Sequence, residues 1–112
     1  MKKKILQNEI YMRQADICAA LASPVRLMIL DLLGNGEGTA TELQEQLDIP
    51  KSNLSQHLSV LKRAGILKIR SEGRCQYLSL SIPEVKQACS LVRQVLLSQM
   101  SQQATLAKAL LK

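Results

Sequence analysis

Between Lys51 and Leu80 the hydrophobic period changes once, at Gly65-Ile66, and that change constrains the fold more than any other feature. Before it, Leu54, Leu58 and Leu61 recur at helical spacing. After it, Leu67 and Ile69 alternate with Lys68 and Arg70, Ser71-Glu72-Gly73 turns the chain, and Cys75 to Leu80 returns. The second half of this stretch therefore reads as a two-stranded β-hairpin with a basic tip.

Upstream, the signals are helical. Leu6, Ile10, Ile17 and Leu21 give a first helix from about residue 3 to 21. Ser23-Pro24 restarts the chain, with Ser as a favoured N-cap and Pro as a favoured first helical residue. Val25, Met28, Ile29 and Leu32 then form one apolar face, and Gly34 stops the helix. Gly34 to Gly38 reads as a loop, and Thr39-x-x-Glu42 is a capping-box pattern opening a third helix with Ala40, Leu43 and Leu47 inward. Asp48-Ile49-Pro50 is a tight break before the fourth helix. Ser81 and Pro83 open a fifth, with Val85, Ala88, Val92, Val95 and Leu96, continuing towards Leu110.

Composition supports a mainly helical chain. Its 112 residues suit one domain, and with two Tyr and no Trp or Phe the core must come from aliphatic side chains. No apolar run approaches the roughly 20 residues that span a bilayer. Gln7, Asn8 and Glu9 interrupt what would follow the basic Met1-Lys2-Lys3-Lys4 start of a signal peptide, and three widely spaced cysteines fit reduced thiols, so the expected compartment is the cytoplasm.

Two short helices, a tight turn and a basic hairpin are the order of a winged helix-turn-helix. Around the fourth helix, Ser52, Gln56, Ser59 and Arg63 lie opposite the leucines, with Lys51, Ser55 and Lys62 on one flank. No carboxylate occurs from Lys51 to Gly65, whereas a merely solvated face would mix both signs. Ser and Gln can read base edges, Lys and Arg can neutralise phosphates, and Arg70 and Arg74 bracket the hairpin turn where a wing could reach the backbone. The net charge of +6 agrees with a polyanionic partner.

The runs Ala20-Leu21-Ala22-Ser23-Pro24-Val25-Arg26-Leu27-Met28-Ile29-Leu30 and Ser52-Asn53-Leu54-Ser55-Gln56-His57-Leu58 through Leu61-Lys62-Arg63-Ala64-Gly65-Ile66-Leu67 resemble the ArsR/SmtB family of bacterial transcriptional repressors. The resemblance covers about residues 5 to 100. It implies a homodimer on a double-stranded, palindromic operator, with the helix-turn-helix at about 39–64, the wing at about 66–80 and dimerisation helices at about 3–21 and 83–110. It adds Asn53 and His57 to the DNA-facing set, His57 either touching DNA or bracing the helix from within. It also implies repression relieved by an inducer, often a metal ion or metalloid.

The family's metal sites are not matched residue by residue. Where a Cys-x-Cys would stand, the chain reads Glu42-Leu43-Gln44-Glu45-Gln46-Leu47, and the last-helix ligand positions read Ile82, Glu84, Val95 and Ser98. Thiols remain. Cys18 and Cys89 lie in the two helices expected at the dimer interface, where they are either small core residues or a sensor for a thiolate-bound metalloid such as arsenic(III), an oxidant or a persulfide. Cys75 stands beside Arg74, which favours thiolate, yet a packing role is expected of it.

Enzymatic readings lack a Gly-rich phosphate loop, a Cys-x-x-Cys and a His-Glu-x-x-His, and one histidine cannot supply a paired acid and base. The alternatives are a winged-helix regulator without thiol or metal sensing, a winged-helix protein-interaction module, and a structural dimer.

Overall fold

A computed structural model describes residues 2–111 of the chain; Met1, which opens the basic N-terminal run, lies outside them. The element order is α1 (Lys2–Leu21), α2 (Pro24–Leu33), β1 (Gly38–Thr39), α3 (Ala40–Leu47), α4 (Lys51–Arg63), β2 (Leu67–Glu72), β3 (Cys75–Leu80) and α5 (Glu84–Leu110). Local chemistry sets the boundaries. Ser23 caps α2 by accepting from the Arg26 N–H, with Pro24 in the first turn. Thr39 and Glu42 form the reciprocal capping box of α3, at 3.1 Å and 3.4 Å. Asp48 ends α3 in the left-handed region at φ 51°, which short polar side chains tolerate, and so turns the chain into α4.

Three details depart from the sequence reading. The Gly34–Gly38 loop ends in a strand: Gly38 pairs with Leu78 and Thr39 with Tyr77, so the wing belongs to a three-stranded antiparallel sheet of order β1-β3-β2. Two residues are too few to show an alternating pattern. The hairpin turn is Gly73-Arg74 and not Ser71-Glu72-Gly73, because Glu72 is already paired with Cys75. Gly73 at φ 62° supplies the positive φ that the first central residue of a II′ hairpin turn requires. Pro83 caps α5 without a side-chain hydrogen bond, and the helix starts at Glu84.

The core is aliphatic. Ile29 of α2, Leu61 of α4, Ile66 at the joint and Leu78 of β3 are fully buried, surrounded by Leu30, Leu33, Leu43, Leu54, Leu58 and Leu67. Only the base of the hairpin enters it, since residues 70–76 are exposed.

α1 packs on α2 and α4, and α5 on α2, but most of both long helices stands clear of the core. Leu6, Ile10, Leu91, Val92, Val95, Leu96 and Met100 are all more than half exposed. The Cα radius of gyration is 18.0 Å, against about 13 Å for a compact chain of this length. The accessible surface is 8887 Å², against about 6,100 Å² for a compact monomer of this mass. No helix among the described residues is long and apolar enough to cross a membrane.

Leu61→Ala should lower unfolding free energy by about 2–5 kcal/mol, the cost of a cavity in a packed core. Thr39→Ala should cost about 1 kcal/mol through the lost cap. Chemical denaturation measures both, and a Leu61→Ala loss smaller than that of Thr39→Ala would displace Leu61 from the centre of the core.

Candidate nucleic-acid interface

α4 is amphipathic by construction: Leu54, Leu58 and Leu61 are buried, and everything opposite them is polar. Lys51, Ser52, Asn53, Ser55, Gln56, Ser59, Lys62 and Arg63 are all exposed. The N-terminus of α4 has no side-chain cap, so its first backbone N–H groups remain free to meet an anion, while Lys62 and Arg63 stabilise the C-terminal end of the helix dipole. Six basic residues lie between Lys51 and Arg74 (Lys51, Lys62, Arg63, Lys68, Arg70 and Arg74) against one acid, Glu72. This segment alone carries a net +5 of the chain's +6.

His57 differs from its neighbours. It is half-buried, and its Nδ1 lies 3.2 Å from Nη1 of Arg26, so it faces α2 and braces the helix.

The two wing arginines have separate environments. Arg74, at the turn, is exposed and forms no ion pair among the described residues. Arg70 is held on three sides. Its guanidinium donates to Glu72 and to Glu37 (3.0 Å) and stacks 4.5 Å from the centroid of the Tyr77 ring, its cross-strand partner. Hydrogen bonds to Glu72 and Glu37 raise its pKa above the ordinary guanidinium value. Glu37 comes from the segment between α2 and β1, so Arg70 fastens the hairpin to the body of the protein. Sequence reading missed Glu37 because it lies 33 positions from Arg70, and Tyr77 because that contact depends on the register of the two strands.

The cysteines do not form a cluster. Cys18 is exposed on α1, and Cys75 is exposed at the start of β3, so the packing role expected of Cys75 is absent. Cys89 is half-buried against the core; burial pushes its thiol pKa up, and Arg93 nearby offsets part of this. Among the described residues no group of three or more His, Cys, Asp or Glu side chains is placed to hold a metal ion. The three thiols of one protomer therefore do not make a three-ligand metalloid site.

Glu37→Gln should release Arg70 towards solvent. Affinity for any duplex should rise and the salt dependence should steepen by up to about one unit of slope, as for one added phosphate contact. An unchanged slope in a salt titration would mean that Arg70 stays on Glu72 and Tyr77. Iodoacetamide at neutral pH should alkylate Cys75 before Cys89, since only the thiolate reacts and burial holds Cys89 protonated; peptide mass spectrometry gives the order.

A helix-turn-helix domain family matches residues 21–70, the span from the end of α1 into the wing. The chain is 39% identical over 85 residues to an uncharacterised HTH-type transcriptional regulator of Methanocaldococcus jannaschii, covering 75% of this chain and 96% of that protein. A crystal structure of Rv0081 from Mycobacterium tuberculosis superposes with a TM-score of 0.77 at 32% identity, covering 85% of this chain and 96% of the other. The solution structure of a homodimeric winged helix-turn-helix DNA-binding domain from Mycobacterium bovis, a possible ArsR-family regulator, gives a TM-score of 0.77 at 28% identity, covering 86% and 89%. With its aliphatic winged helix, its carboxylate-free fourth helix and these relatives, the chain belongs to the ArsR/SmtB family of winged helix-turn-helix transcriptional regulators.

Proposed function

We propose that the protein is a homodimeric repressor that binds a palindromic operator through α4 and the wing. The observation that carries this reading is the outer face of α4, thirteen residues long, fully exposed and without a carboxylate. A polyanion is the partner that such a face suits, and double-stranded DNA offers it both phosphates and base edges. Ser52, Ser55, Gln56 and Ser59 are the base readers, and Asn53 stands beside them at the helix start. Lys51, Lys62, Arg63 and Arg74 bind phosphates, while Arg70 positions the wing and His57 positions the helix. Such a regulator works where the chromosome is, in the cytoplasm.

Dimerisation is supported by the apolar rows of α1 and α5, which the protomer leaves uncovered, and by the homodimeric M. bovis domain. A two-fold axis between these helices sets two copies of α4 at half-sites about 34–36 Å apart, or a multiple of that. A dimer seated there represses by occupying DNA that the polymerase needs. In the dimer, Cys18 of α1 and Cys89 of α5 belong to the same interface, and arsenite or a persulfide acting on them would change the spacing of the two reading helices.

Binding to the DNA upstream of the protein's own gene tests the reading. Gln56→Ala or Ser55→Ala should reduce discrimination at particular base pairs by about 1–3 kcal/mol. Arg74→Ala should weaken all duplexes alike and flatten the salt dependence by about one unit of slope. Sedimentation should give a dimer at micromolar concentration. A monomer with no preference for the upstream duplex would end the proposal. Release by arsenite or a persulfide donor should disappear in Cys18→Ser/Cys89→Ser, and full release of that variant would reduce both cysteines to packing residues.

A further inference from the structure

The corner between α1 and α2 is closed by one side chain. α1 has no basic residue in its last turn, so its terminal carbonyls lack a cation from within the helix. Arg26, in the first turn of α2, supplies one from outside: Nε donates to the Ala20 carbonyl at 2.6 Å and Nη2 to the Ala19 carbonyl at 3.3 Å. Its remaining arm, Nη1, reaches Nδ1 of His57 on α4 at 3.2 Å. Among the described residues this is the single hydrogen bond that a side chain of α4 makes with another element. A guanidinium can only donate, so Nδ1 must accept and the ring proton must sit on Nε2.

The leucine face of α4 fixes its depth in the core and which side points inward, but non-directional aliphatic contacts set its fine rotation about the helix axis less sharply than a directed bond does. A directed hydrogen bond from a planar, pre-organised fork does resist it. We propose that Arg26 is a positioning residue through which the end of α1 sets the rotation of α4, so that a shift of α1 in the dimer interface reaches the base-reading face. The inference rests on the DNA-binding reading above and adds a route between its two halves.

The variants are Arg26→Lys, His57→Leu, their double, and His57→Asn. Lysine keeps the charge at the corner but cannot serve two carbonyls and the imidazole in the fixed fork. Asparagine keeps an acceptor near the position of Nδ1. Affinity is measured on the duplex upstream of the gene and on an unrelated duplex, with thermal unfolding as the control for folding. Arg26→Lys and His57→Leu should each weaken the upstream duplex about tenfold, the size of one hydrogen bond to a charged group. The double should be no weaker than either single variant, and His57→Asn should remain within about threefold of wild type, the residue of a bond kept with poorer geometry. Melting should stay close to wild type. Additive losses, or full affinity in Arg26→Lys and His57→Leu, would overturn the proposal.

A second measurement separates this inference from the DNA-binding reading. The chain has one histidine, so selective 15N labelling of histidine reports that ring alone. Wild type should show the Nε2–H tautomer, and Arg26→Lys should shift it towards a mixture. That result sustains the link even if the upstream duplex is not preferred, in which case the DNA-binding reading alone fails. An Nδ1–H ring in wild type overturns the link whatever the DNA result.

Discussion

Everything that α4 can present to a partner depends on how it is held, and its leucine face does most of the holding, with the His57–Arg26 hydrogen bond beside it. Leu54, Leu58 and Leu61 enter a core completed by Ile29, Ile66 and Leu78, the last from the strand that carries the hairpin back. With no Phe or Trp to fill space, small aliphatic side chains must mesh closely, and burying each contributes about 1.5–3 kcal/mol. α4 and the base of the hairpin share one set of core contacts, so the placement of one constrains the other. The outer face needs no packing partner, which leaves its composition open to selection by a ligand.

The long helices pose the opposite problem. α5 runs for 27 residues, about 40 Å at the usual rise, and only Val85 of it is buried, with Cys89 half-covered. A helix with so many exposed Leu, Val and Met side chains raises the free energy of an isolated protomer, and the proposed pairing with a second copy would relieve it without a new surface having to evolve. Under that proposal the core of the winged helix stays small, while the association of two copies would set how two such units are spaced.

Local chemistry was legible in the sequence and distant chemistry was not. The Ser23 cap, the Thr39–Glu42 box and the leucine face of α4 follow from neighbours within four residues, and the structure has them where the residues place them. β1 escaped notice because its partners, Leu78 for Gly38 and Tyr77 for Thr39, lie far along the chain. The contacts of Arg26 with His57 and of Arg70 with Glu37 escaped for the same reason, being 31 and 33 positions apart, and the stacking of Arg70 on Tyr77 depends on strand register. His57 shows the limit best: its place on the edge of the inward face left two roles open, and only the Arg26 contact decides for bracing. Cys18 and Cys89 could be assigned to helices but not to surroundings, and the protomer exposes one and half-buries the other.

The acids of the chain explain why its positive charge is directional. α3, the first helix of the pair, carries Glu42 and Glu45 with Asp48 at its end, while α4 carries none. Glu42 is committed to its cap, and Glu37 and Glu72 are committed to Arg70. These pairings take Arg70 out of the free positive field and leave Arg74 exposed at the tip of the hairpin, with no ion pair among the described residues. A polyanion approaching from the side of α4 meets Lys51, Lys62, Arg63 and Arg74, whereas one approaching from α3 meets carboxylates. At physiological salt, where fields fade within about 8 Å, this local sorting of sign governs orientation more than the net charge of the whole chain. The same tethering that removes Arg70 from the field gives the wing a fixed attitude, so the rigid placement of Arg74 is obtained by neutralising its neighbour.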